Sequence, residues 1–174
     1  MFHRWRIARR NRAIVEDLYQ SLVAETRQPK LYERCGIADT FSGRFEALAI
    51  HVFLFLRRCR GEARLEPVAQ EVVDRFVTDV DTSIRELGVG DQSVPKRMRK
   101  LAGVFYERVR VYDGAFGSED PAAALATALK GRAIGDDAAT DAAAALATYM
   151  QETGDRLGAV STDDILSGSL NCGN

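Results

Sequence analysis

The chain has 174 residues, 46% of them hydrophobic and 28% charged, with a formal net charge of −1. Such a length buries about 70% of the unfolded surface in one domain, and the ordinary composition excludes disordered, collagenous and disulfide-built classes. The neutral total hides an asymmetry. Residues 1–112 carry 21 Lys and Arg against 15 Asp and Glu, a net +6, and residues 113–174 carry 3 against 10, a net −7.

Residues 1–11 read as a basic N-terminal arm. Arg4, Arg6, Arg9, Arg10 and Arg12 alternate with Phe2, Trp5 and Ile7. That mixture suits an anionic membrane surface or a nucleic-acid backbone, and a solvated end is the alternative. No apolar core follows the cations, so the segment is not a signal peptide. A first helix is expected after Asn11, with Ile14, Val15, Leu18, Tyr19, Leu22 and Val23 on one side, ending before Pro29. A short segment from Pro29 to Cys35 stops at Gly36, and residues 37–43 form a loop in which Asp39, Thr40 and Ser42 are candidate caps. The next helix runs from about Gly43 to Arg60. Its inward residues are Phe45, Leu48, Ala49, Val52, Phe53 and Leu56, while Ile50, Leu54 and Phe55 carry the apolar surface round most of its circumference. A helix of that kind is central in a bundle. Its uncharged run, Ala47 to Leu56, is too short to cross a bilayer, so any membrane role is peripheral.

Downstream, Val68, Val72, Phe76, Val80, Ile84 and Leu87 recur at helical spacing. Gly88 can adopt the left-handed conformation that ends that helix, Asp91 or Ser93 can cap the next, and Pro95 fits its first turn. The following apolar stripe is Met98, Leu101, Ala102, Phe105, Val109 and Tyr112. Residues 119–155 read as alanine-rich, acidic helices, broken between Gly131 and Asp137, and residues 167–174 as a disordered tail. The helical domain spans 12–166, and the whole is expected to be an all-α, single-domain bundle of about six to eight helices.

Chemistry is scarce. His3 and His51 form no zinc or haem spacing, and Cys35, Cys59 and Cys172 are too far apart for a metal or redox motif. An odd cysteine count favours reduced thiols in the cytosol. Gly88-Val89-Gly90 lacks the third glycine, the Lys-Ser/Thr ending and the preceding strand of a phosphate loop. Asp79/Asp81 and Asp136/Asp137 read as solvated faces. His51 reads as a buried histidine bonded to backbone or carboxylate; an enzyme would need a cofactor or a deep pocket lined by it. What remains are surfaces. Lys96, Arg97, Arg99 and Lys100 open a helix against its macrodipole, whereas Arg57, Arg58 and Arg60 close one, where cations are favoured.

Several segments together resemble the ubiquinol–cytochrome c chaperone family. They are Gly43-Arg44-Phe45-Glu46 with His51-Val52-Phe53-Leu54, then Asp74-Arg75-Phe76, Asp79-Val80-Asp81 and Ile84 to Asp91. Val94-Pro95-Lys96-Arg97-Met98 and Phe105-Tyr106-Glu107-Arg108 follow. Ser93 and Glu107 stand where the family pattern has small residues. The resemblance covers about residues 12–117 and is loose over the alanine-rich part.

It implies a non-enzymatic assembly chaperone for the cytochrome bc1 complex that binds newly made cytochrome b. It also implies the ribosome and the inner-membrane surface as further contacts, a cytoplasmic location, and no cofactor, DNA or small-molecule substrate. The rival reading is an electrostatic adaptor for ribosome, RNA or anionic lipid. Client contacts are expected among Tyr19, Tyr32, Ile50, Leu54, Phe55 and Tyr106 with Lys96, Arg97, Arg99 and Lys100, and membrane or ribosome contacts at Arg4, Trp5, Arg6, Arg9, Arg10 and Arg12.

Overall fold

The computed structural model describes the backbone of residues 2–88 and 90–171, and the side chains within those ranges from residue 11 onward. Among these residues it is all-helical apart from one isolated bridge, Lys130 to Ile134. The order is α1 (Phe2–Glu25), α2 (Pro29–Glu33), α3 (Phe41–Cys59), α4 (Glu66–Glu86), α5 (Val94–Phe116), α6 (Pro121–Leu129), α7 (Thr140–Gly158) and α8 (Thr162–Leu166). The expected single-domain helical bundle is what forms.

The first helix begins at Phe2 rather than after Asn11. Nothing between the two positions is glycine or proline, and arginine and alanine favour helix, so no residue stops it from running through the basic segment. The side chains of Arg4, Trp5, Arg6, Arg9 and Arg10 lie outside the described residues; Arg12 is exposed.

Helix α3 is the axis of the molecule. Phe53, Phe55, Ile50 and Leu54 are all at most 1% exposed, because the helix contributes to two cores at once. On one side Ala47, Ile50, Phe53 and Leu54 pack with α6, α7 and the C-terminal half of α5. On the other, Phe45, Ala49, Val52 and Phe55 pack with α1, α4 and the N-terminal half of α5. The alanines of α7, Ala143 and Ala147, are buried in the first core, where their small side chains let that helix lie close. Ile50, Leu54, Phe55 and Tyr19 are therefore core residues. Expected as client contacts, they are corrected here: α6 and α7 cover Ile50 and Leu54, while Phe55 and Tyr19 are consumed by the core that α3 shares with α1 and α4. Tyr32 is half-buried and donates to the Thr26 carbonyl at 2.8 Å.

The segments that carry the family resemblance mostly hold this frame. Thr40 caps α3 by accepting from the Gly43 amide at 3.2 Å. A Cβ on Gly43 would sit 1.8 Å from the Ala38 carbonyl oxygen, so the loop closes only over glycine. Glu46 is buried and takes a two-point contact from Arg108, at 3.0 and 2.8 Å. Arg108 also pairs with Glu107, which Arg132 meets at 2.8 Å. Burial raises the pKa of Glu107, but hydrogen bonds from Arg132 and Arg108 outweigh it and leave the carboxyl below its usual range. Arg75 reaches Glu16 at 2.8 Å and lies 4.7 Å from the Tyr19 ring centre, while Tyr19 donates to Asp79 at 2.9 Å.

Gly88 takes φ 75° beyond α4, as expected of its stop. Asp91 does not cap α5: Arg85 holds it at 2.9 Å, and Ser93 is the N-cap without a side-chain bond. Asp120 caps α6 by accepting from Ala123. The polar end is partly built in, since Leu170 packs against both cores; residues 172–174 lie outside the described residues.

Candidate docking surface

Helices α4 and α5 bury most of their apolar stripes but leave a seam open. Val68, Val72, Phe76, Val80 and Ile84 point inward, as the repeat predicts. Val73 and Val77 stand one position off that repeat, so they fall where the inward face turns to solvent; Val77 is 44% exposed. On α5, Met98, Leu101 and Ala102 face them across a small apolar groove. Its volume of about 40 Å³ admits a side-chain tip and no small-molecule ligand.

A run of four aromatic rings crosses from the core to this groove. Phe45 stacks on Phe76 at 5.9 Å, Phe76 meets Phe105 at 5.0 Å, and Phe105 meets Tyr106 at 5.9 Å. The last ring is 66% exposed. Tyr106 is thus the outer end of this run of rings, an aromatic left facing solvent. Leu87, 56% exposed, adds a further apolar side chain at the end of α4, where it serves as C-cap and leaves the inward face that the spacing assigned it.

Lys96, Arg97, Arg99 and Lys100 are exposed at the start of α5. No carboxylate among the described residues lies within ion-pair distance of them, and the first turn of α5 holds no acid. Unpaired cations at a helix N-terminus cost a few tenths of a kcal/mol each. The fold does not use them. Of the expected contacts, Tyr106 and these four cations share helix α5, and Tyr32 lies elsewhere, on α2. Val77 and Met98 are groove residues that the sequence reading did not single out. An apolar residue one step off a clean repeat is the signal that marks Val77.

The only histidine whose side chain is described lies elsewhere. His51 is 1% exposed. Its Nδ1–H donates to the Ala47 carbonyl at 2.7 Å, which leaves Nε2 to accept from the Tyr149 hydroxyl at 2.6 Å. Burial holds its pKa below the ordinary value and pushes the Tyr149 phenol up to about 12. A cleft of about 360 Å³ reaches this ring between Ser21, Glu25, Thr153 and Arg156. Both ring nitrogens are engaged, so the imidazole has no free lone pair to act as a base or ligand. Among the described residues no group of His, Cys, Asp and Glu could hold a metal ion.

A family model described as ubiquinol–cytochrome c chaperone matches residues 33–172. The chain belongs to that family. The match runs on through α6 and α7, beyond the 12–117 stretch that carries the resemblance in sequence. The chaperone fold is also that of the Cbp3 homolog from Brucella abortus, whose crystal structure superposes with a TM-score of 0.86 at 40% identity, covering 100% of this chain and 97% of that one.

Ubiquinol–cytochrome c reductase complex assembly factor 1 of Mus musculus is 29% identical over 110 residues, 63% of this chain and 37% of the mouse protein. The Xenopus laevis protein of the same description is 24% identical over 104 residues, 59% of this chain and 52% of its own length. This chain thus spans between a third and about half of these curated relatives. No helix among the described residues is long and apolar enough to cross a membrane.

Proposed function

We propose that this chain is a non-enzymatic chaperone that binds newly made cytochrome b during assembly of respiratory complex III. Its work is done at the cytoplasmic face of the membrane, through peripheral contact. The family match and the relatives described as assembly factors for the ubiquinol–cytochrome c reductase complex support the complex. The single observation that carries the mode of action is the α4–α5 seam, where Tyr106 and Val77 are exposed and α5 also carries four unpaired cations in its first turns. A membrane-protein client offers apolar segments flanked by charge, and such a surface matches both features. The saturated hydrogen bonding of His51 argues against an acid–base site.

Deleting the gene should lower assembled bc1 complex and cytochrome b and leave other membrane complexes unchanged. Complementation with Val77→Asp/Tyr106→Asp should fail although the variant accumulates as folded protein. Normal complex III in the deletion strain ends the proposal. The four cations also favour the rival reading, an electrostatic adaptor for ribosome, RNA or anionic lipid. Sedimentation with ribosomes or vesicles across a salt series separates the two, because phosphate contacts fade steeply with salt.

A further inference from the structure

One face of α5 carries the exposed Tyr106 and two of the unpaired cations and continues along the whole helix. Lys96, Arg99, Gly103, Tyr106, Arg110 and Gly114 follow at steps of three, four, three, four and four, so they form a single stripe along the helix. All six are exposed. The stripe contains no acid, and no carboxylate among the described residues pairs with Lys96, Arg99 or Arg110.

Its glycines are the informative residues. Gly103 and Gly114 lie inside a 23-residue helix, where glycine is a poorer choice than almost any other residue. A Cβ at either would meet nothing within 4 Å. Gly43 differs, since there the loop fills the space. Neither a turn nor neighbouring packing in this chain requires glycine at 103 or 114. What glycine provides there is a shallow notch where a second backbone can come close, with Tyr106 standing between the notches as an anchor.

We propose that this stripe is a docking seam for an amphipathic helix of a partner protein that carries carboxylates along its edges. The proposal rests on the reading of α5 as part of the client surface and gives the bound segment a conformation and a charge. Charge complementarity selects the acid: the seam offers three cations and no anion. The notches select a helix. They lie eleven residues apart, about 16 Å along the axis, which suits a rod of several turns. Lipid headgroups or RNA phosphates would satisfy the cations but gain nothing from glycine.

The test uses the full chain and a fluorescent host peptide of about 20 residues, helical, with an alanine–leucine stripe edged by glutamates. The same peptide edged by lysines, phosphatidylglycerol vesicles and a single-stranded RNA oligomer serve as comparisons. The glutamate peptide should bind and the lysine peptide should not. Gly103→Leu should weaken binding about tenfold or more while the melting temperature holds or rises, because leucine favours helix. Lys96→Glu/Arg99→Glu/Arg110→Glu should abolish binding.

Binding unchanged by Gly103→Leu overturns the seam and leaves a plain charged patch. So does stronger binding of vesicles or RNA than of the peptide, and so does self-association of the chain that Gly103→Leu removes. Normal bc1 complex in cells carrying Gly103→Leu, with peptide binding lost, supports the seam and removes cytochrome b as its occupant.

Discussion

Arg108→Met isolates the contact that ties α5 to the central helix. The Arg108 and Glu46 side chains are 12% and 6% exposed, and two hydrogen bonds of 3.0 and 2.8 Å join them. Methionine fills much of the arginine volume but leaves the Glu46 carboxylate buried without a cation. Breaking a buried pair in this way costs about 3–5 kcal/mol, a large share of the roughly 5–15 kcal/mol that holds a domain folded. Glu46→Gln should cost less, because Arg108 keeps Glu107 as a partner. The double variant Glu46→Leu/Arg108→Met should recover most of the loss, since no charge is then stranded.

Urea unfolding followed by far-UV circular dichroism measures all three, with the slope checked for constancy. Arg64→Met is the control: its partner Asp163 is 82% exposed, so the pair should contribute about 0–1 kcal/mol. Arg108→Met within about 0.5 kcal/mol of the parent, or a double variant no better than the single, would show that water reaches Glu46 and that the burial argument is mistaken.

Three further outcomes are expected. Phe76→Ala removes the middle ring between Phe45 and Phe105 and should cost about 3–5 kcal/mol by urea unfolding; a loss below about 1 kcal/mol would mean the stack closes over the gap. His51 is held below its ordinary value of 6.5 by burial, so its folded state binds the ring proton less readily than the unfolded chain. The stability it supports is full above pH 6.5 and falls as pH drops below that value. Unfolding midpoints at falling pH should therefore slope less steeply in His51→Gln than in the parent, and equal slopes would refute the assignment. Gly103→Ala should raise stability by about 0.5–1 kcal/mol in thermal melts, since nothing surrounds the added methyl; destabilisation would reveal an unrecognised constraint at that position.

Much of the frame is legible from spacing alone. The repeat from Val68 to Ile84 is inward, the all-round apolar α3 is central, and Gly88 ends its helix. The docking surface is harder to read. Periodicity tells which face of a helix is apolar, and it cannot tell whether a neighbour covers that face. Ile50 and Leu54 look like surplus until α6 and α7 cover them, and Phe55 until α1 and α4 do. Met98 and Leu101 look like core until α4 stops short of covering them. The Glu46–Arg108 pair spans 62 residues, and the His51–Tyr149 bond spans 98, distances over which no local pattern carries information. The cations that follow Pro95 stand out because their charge opposes the macrodipole at their position.

Gly168 lies against Ile14 and Asp17 of α1, and Leu170 then reaches both cores. Residues 168–170 thus form a clasp on α1. Helix α1 meets α3 and α4 earlier in chain order, so the clasp closes over a helix whose inner face those two already cover. A chain rearranged to open at the Gly131–Asp137 loop should consequently reach the same packed state with its clasp already shut.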